Sequence, residues 1–474
     1  MKRFLYAVML FAVACTQPYY AGVDNPHQGG GTSVDRNIIG YIDTRLQEEY
    51  YWLDEVEEKS NQFNRNVEWE RYLDNALMRL TTNVDDGYVN GKGQRVFYSY
   101  IRENKASTRS GVEGFGIALH YTIVVIDSQN SYYGFVVESV YKDSPAEAAG
   151  VKRGDVITKV NNGYITANNY NTLFMMVENN GASSVNLMLR RQTTNDTYKV
   201  ELQKGSYEEN TIAHYEVIEL EDKRIGYLVY TAFESEYEDE LIEAIETLKS
   251  AGVEEFILDL RVNRGGSVPL AVKLCSALVP ASLESQTLCS LVRNKRNTKS
   301  DAVTVFELED TGSILSLDNL TVICSGYTAS ASELVIMGLR GLDFPVTLIG
   351  STTEGKNCGM DVTRKTINGV SVEFAPITFM CLNAKGDGNW GEGVNPDVDL
   401  TSEGNEFGVS DKNYPIPRAE WGDYNSDIAL AVALAKITGK GIVQASTRSV
   451  CSDTMEPVVV VPKPVVGACL YRNE

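Results

Sequence analysis

The chain has 474 residues, 43% of them hydrophobic and 23% charged, a globular composition that excludes a disordered or fibrous class and calls for several domains at roughly 100–200 residues each. Its formal net charge of −21 and pI near 4.7 set up a field that repels polyanions, so no nucleic-acid partner is expected and an anionic membrane surface is disfavoured. With three histidines, no CxxC pair and no HExxH motif, neither a metal nor any other cofactor is expected.

At the N-terminus Lys2 and Arg3 precede an apolar run from Phe4 to Val13 that meets Ala14 and Cys15, the pattern of a signal peptide. The run is much shorter than the ~20 residues of a permanent bilayer span. Ala12-Val13-Ala14-Cys15 resembles a bacterial lipobox, which makes residues 1–15 a leader, Cys15 the lipidation site and the protein an exported one, anchored by lipid in the cell envelope. Ala12 stands where such motifs carry Leu, so cleavage without lipidation is the competing reading. Residues 16–34, rich in Gly, Gln and Pro around Gly29-Gly30-Gly31, read as a flexible tether. In residues 35–108 the apolar positions Ile38, Ile42, Leu46 and Leu73, Leu77, Leu80 recur at helical spacing and predict a small helical domain.

Residues 109–205 carry short β-rich runs, Phe115–Tyr121, Gly134–Val140, Val156–Val160 and Val185–Leu189, divided by turn signals. One short helix interrupts them, opened by Ser144-Pro145-Ala146-Glu147 and stopped by Gly150. Residues 206–440 alternate strands (Arg224–Phe233, Glu255–Leu260, Leu320–Cys324, Val346–Ile349) with helices (Glu238–Ser250, Ala331–Leu339), which predicts an α/β unit with a largely parallel sheet. Residues 441–474, with an apolar run Val458–Val461 between prolines, form a tail to which no role is assigned. Eight cysteines are present; setting Cys15 aside leaves an odd number, and no disulfide framework follows, though Cys451 and Cys469 are placed to staple the tail.

No histidine lies between Arg224 and Lys440, so an α/β unit that hydrolyses anything must use another base, and lysine is the main candidate. Tyr327-Thr328-Ala329-Ser330-Ala331-Ser332-Glu333 follows a strand and opens a helix, whose free N–H groups suit a developing oxyanion. Ser330-x-x-Glu333 also has the form of a capping box, which by itself would explain both residues. Lys356 in Thr353-Glu354-Gly355-Lys356-Asn357 ends the next strand, and neighbouring parallel strands open on one crevice; on its own it would be a solvated loop charge. Leu258 to Gly266 ends a third strand in glycines, where an amide of Gly265 or Gly266 could join that of Ala331 around an oxyanion.

Four segments in this order, Asp-Leu-Arg-x-Asn-x-Gly-Gly (259–266), Thr-Ala-Ser-Ala-Ser-Glu (328–333), Glu-Gly-Lys (354–356) and Gly-x-Asn-Pro-Asp-Val (393–398), resemble the carboxy-terminal processing, or tail-specific, serine protease family. The resemblance implies a crotonase-like α/β core, a PDZ domain inserted before or within it, and a Ser-Lys dyad with Ser330 as nucleophile and Lys356 as base. It further implies oxyanion amides at Ala331 and Gly265, and a peptide-carboxylate loop at Gly114, Phe115, Gly116 and Ile117. Substrates would be unfolded proteins or chains with exposed C-termini. Met360 departs from the family, many members of which have Gln or Glu there to orient the lysine. The alternative is a catalytically weak or inactive homologue that binds peptides.

Overall fold

The computed structural model describes residues 32–90, 93–104, 112–178, 182–298, 300–309, 315–442, 457–460 and 470–471. Its central element is a six-stranded sheet in the order Ile212–Leu220, Lys223–Tyr230, Glu255–Asp259, Leu320–Cys324, Val346–Gly350 and Val398–Asp399. The first pair is antiparallel and the remaining pairings are parallel. Every residue of Leu320–Cys324 is buried, as a strand covered on both faces requires. On one face the apolar stripe Leu241, Ile245, Leu248 of helix Glu238–Ser250 packs with helices Val268–Leu278 and Ala331–Gly341. On the other lies helix Ile428–Thr438, started by Asp427, which accepts from Ala429 N at 3.0 Å, and ended by Gly439 at φ 67, the left-handed stop that favours glycine.

Helix Val268–Leu278 and an antiparallel sheet of Val303–Glu307, Thr287–Arg293, Ile377–Asn383 and Cys358–Asp361 are absent from the sequence reading. Nine of that helix's eleven residues are buried, so it lacks the polar stripe by which helical periodicity is recognised.

Residues 112–207 form a β unit whose sheet runs Thr197–Gln203, Ser184–Arg190, Val156–Val160, Tyr132–Val140, Ile117–Asp127. Its core gathers Phe115, Phe135, Ile157, Phe174 and Leu187. The short helix appears at Pro145–Ala148, capped by Ser144, whose Oγ accepts from Glu147 N at 3.2 Å. A second helix, Tyr170–Glu178, lies beside Ile117–Asp127.

In the N-terminal region the helices Ser33–Glu49, Leu53–Lys59 and Trp69–Leu77 bury the expected stripes; Ile38, Ile42, Leu46, Leu73 and Leu77 are all at most 1% exposed. Beyond Leu77 the chain turns to short strands, not helix, and Tyr100–Glu103 pairs with Val370–Ala375. The helices share one core with Cys358, Met360, Phe374 and Ile377. This segment is built into the distal sheet of the α/β unit. No described helix is long and apolar enough to cross a membrane.

Candidate active site

Three adjacent parallel strands end at Asp259, Cys324 and Gly350, and their loops carry three of the four motifs. Ser330 closes the middle loop with φ 62 and ψ −117, a left-handed backbone that costs a non-glycine residue about 1–3 kcal/mol. It is 2% exposed, and among the described residues its Oγ has no hydrogen-bond partner. Ala331 follows as the first residue of its helix, a position whose N–H has no acceptor inside the helix.

Glu333 reaches back to the Ser330 amide at 2.8 Å, as a capping glutamate would, but its reach extends further. The same Oε2 accepts from Lys356 N at 2.8 Å, while Oε1 accepts from Gly355 N at 2.8 Å and Thr353 Oγ1 at 2.5 Å. The carboxyl is fully buried. Burial pushes its pKa up to about 6 against the pull of these four donors. One carboxylate therefore joins the backbone of the Ser330 loop to that of the Lys356 loop. In the sequence Glu333 reads as a capping residue; its second partner set is non-local and has no sequence signal.

Lys356 is 5% exposed, and its Nζ stands 4.6 Å from the centroid of the Tyr98 ring. Tyr98 comes from the N-terminal segment, held by Asp86 Oδ1, which accepts its amide at 3.1 Å. Burial, then the neighbouring Glu354, push its phenol well up. Glu354 itself pairs with Arg264 at 3.4 Å. Met360 lies in the N-terminal core at 0% exposure and has no hydrogen-bonding group to offer the lysine.

Gly265 has φ 96, and a Cβ there would stand 2.7 Å from Ser330 Cβ and 2.8 Å from Ala331 N, so only glycine fits against the serine. Its amide donates to Asn263 Oδ1 at 2.8 Å. Asn263 also accepts from Ala329 N and Ser332 Oγ through its carbonyl, each at 3.1 Å. The fourth motif braces the lysine loop: Val394 N donates to Thr353 Oγ1 at 2.7 Å, and Thr352 Oγ1 donates to Asn395 Oδ1 at 3.0 Å. Gly355, at φ 89, leaves no room for a Cβ, which would lie 2.4 Å from Gly391 O. Beneath the site Arg261 is fully buried between Asp259 at 2.5 Å and Asp427 at 2.8 Å.

Gly114 ends a strand paired with Gly205–Tyr207. Phe115 O accepts from Ala146 N at 3.0 Å, Gly116 O accepts from Tyr141 N at 3.0 Å, and Ile117 opens the strand Ile117–Asp127. That strand meets the serine loop: the Tyr327 ring lies 5.3 Å from His120, and its OH is 3.3 Å from Thr122 Oγ1. Cys15, Cys451 and Cys469 lie outside the described residues. Cys275, Cys289, Cys324, Cys358 and Cys381 are buried. Among the described residues no cluster of His, Cys, Asp and Glu is arranged to hold a metal.

Residues 224–400 match the family model of peptidase family S41, and residues 136–191 match that of the PDZ domain. The chain is 26% identical over 344 residues to the carboxy-terminal processing protease CtpA of Bacillus subtilis, covering 72% of this chain and 66% of that one. It is 25% identical over 336 residues to a CtpA-like serine protease of Staphylococcus epidermidis, covering 70% of this chain and spanning only 62% of that relative's length. The crystal structure of an S41 protease from Bacteroides fragilis has the same fold, with a TM-score of 0.65 at 21% identity over 89% of this chain and 99% of that one.

Proposed function

We propose that this chain, whose residues 224–400 match peptidase family S41 and residues 136–191 the PDZ domain, is a serine endopeptidase of the carboxy-terminal processing type with Ser330 as nucleophile and Lys356 as base. One observation supports this most directly: a buried carboxylate, Glu333, hydrogen-bonds the backbone of both residues while the Ser330 hydroxyl has no hydrogen-bond partner among the described residues. An amine serves as a base only when neutral, and a desolvated position favours that form. Lys356 takes the Oγ proton as Oγ attacks the peptide carbonyl, then returns it to the leaving amine; water releases the acyl-enzyme. Ala331 N–H and Gly265 N–H receive the oxyanion, and for Gly265 this requires sharing or leaving Asn263 Oδ1. The core is of crotonase-like type in this reading.

The PDZ domain takes the substrate as an added strand, with the loop Gly114–Ile117 receiving its C-terminal carboxylate. The leader sequence and Cys15 support export to the cell envelope and lipid anchoring; a Cys15→Ser chain that still partitions with membranes would refute the anchor. Soluble protein starting after Cys15 should cleave unfolded proteins, and Ser330→Ala and Lys356→Ala should each lose at least about 10³-fold in kcat. Ser330→Ala should keep or gain stability, because it removes a buried hydroxyl with no partner among the described residues. Cleavage that survives in Ser330→Ala sinks the assignment. A chain that binds apolar C-terminal peptides and cleaves nothing would instead be a peptide-binding homologue.

A further inference from the structure

The strand Ile117–Asp127 is the edge against which an extended peptide would be added, and the chain itself supplies a strand there. Pro457–Val460 pairs antiparallel with it, Pro457 opposite Val124, Val459 opposite Ile123 and Val460 opposite Thr122. The strand Pro457–Val460 therefore runs toward the Gly114–Ile117 loop, the polarity of a peptide whose C-terminal end points at that loop. Further on, Leu470–Tyr471 adds in parallel to Cys358–Asp361, Leu470 opposite Met360 and Tyr471 opposite Asp361. That strand begins two residues after Lys356. Two pieces of one C-terminal segment thus complete two sheet edges, one on the PDZ domain and one on the strand that follows the proposed base. Unpaired strand edges are templates for further strands, and each of these is occupied from within.

We propose that the C-terminal segment is a tethered competitor of substrate: Pro457–Val460 fills the peptide edge of the PDZ domain, and Leu470–Tyr471 fills the edge of the strand that follows Lys356. Each contact is short, with three paired positions on one edge and two on the other, so each is weak alone. The tether compensates. A linked segment acts at an effective concentration of about 1 mM, so an intrinsic dissociation constant of about 0.1 mM would leave roughly one chain in ten open to substrate. A substrate strand that binds the edge more tightly displaces the tail, and occupancy of the PDZ edge becomes the release signal.

The test compares the full chain starting after Cys15, a chain ending at Ile442, and full chains carrying Val459→Pro or Leu470→Pro, each of which removes a strand N–H. Cleavage of an unfolded protein should rise about tenfold on truncation, Val459→Pro should reproduce most of the gain, and an added peptide of residues 455–474 should reverse it. Because that arm rests on the peptidase reading, a second arm does not: the fluorescent 455–474 peptide, followed by anisotropy, should bind the shortened chain carrying Ser330→Ala at least tenfold more tightly than the full chain carrying the same change. Binding of this kind with no cleavage by any form upholds the tail contact and fails the peptidase reading alone. Equal cleavage by active full and shortened chains, or peptide affinity unchanged by truncation, overturns the proposal. Should truncation lower the melting temperature so far that the chain does not fold, the proline variants decide by the same criteria.

Discussion

Replacing Glu333 by Gln keeps shape and volume but changes what the group can accept. Its oxygen can face Ser330 N and Lys356 N, or Gly355 N and Thr353 Oγ1, but not both pairs. The better choice turns the new NH₂ toward Thr353, whose hydroxyl can rotate to accept, and leaves the Gly355 amide unpaired at about 1–3 kcal/mol. The second effect is electrostatic. Because burial raises the carboxyl from 4.5 to about 6, folding favours its protonated form: the stability it contributes is full below 4.5 and is lost as pH rises through 6. About 1.5 pH units at about 1.4 kcal/mol each gives about 2 kcal/mol. Gln does not titrate. The stability gap between the parent chain and Glu333→Gln, measured by urea unfolding, should therefore shrink by about 2 kcal/mol between pH 4.5 and 7, whatever the fixed cost of the unpaired amide. Turnover at pH 7 should fall by about 10–100-fold, since an ångström of displacement between reacting groups costs on that order. A gap that does not change with pH, or unchanged turnover, would refute the reasoning.

Gly355→Ala places a Cβ 2.4 Å from Gly391 O at φ 89 and should cost about 2–4 kcal/mol by urea unfolding, with turnover falling in parallel. Arg261→Met leaves Asp259 and Asp427 buried without their cation; about 3–5 kcal/mol should be lost, seen as a lower denaturation midpoint. Glu178 Oε1 accepts from Leu119 N at 3.1 Å, and burial pushes its carboxyl up to about 7. It therefore becomes charged above that pH at the edge where a peptide carboxylate would approach. Binding of C-terminal peptides should weaken as pH rises through 7, and Glu178→Gln should abolish that dependence in an anisotropy titration.

What could be read from the sequence was local. Leu320–Cys324 is a short apolar run that reads as a covered strand, and Ser330 and Lys356 follow successive strands in motifs whose order carries more information than any one of them. Helix Glu238–Ser250 was legible from its stripe of Leu241, Ile245 and Leu248. Val268–Leu278 was not, because burial on nearly every side erased its periodicity. Tyr98 over Lys356 and the double reach of Glu333 depend on residues distant in the chain, for which a single sequence has no spacing signal. Met360 stands where many relatives have Gln or Glu; its burial with the N-terminal helices explains why an apolar residue suits this chain.

The core shared by the N-terminal helices and the distal sheet has a consequence for the order in which the chain can fold during synthesis. Tyr100 and Glu373, hydrogen-bonded at 2.9 Å, are separated by 273 positions, and at about 5–20 residues per second the later one is made on the order of tens of seconds after the earlier. Over that interval the whole PDZ domain, which lies between them, can complete itself, while the helices that carry Ile38, Ile42 and Leu46 wait for their partner surface. Tyr98, the ring against Lys356, belongs to the waiting segment. The lysine's pocket therefore closes only when the two ends of the fold meet.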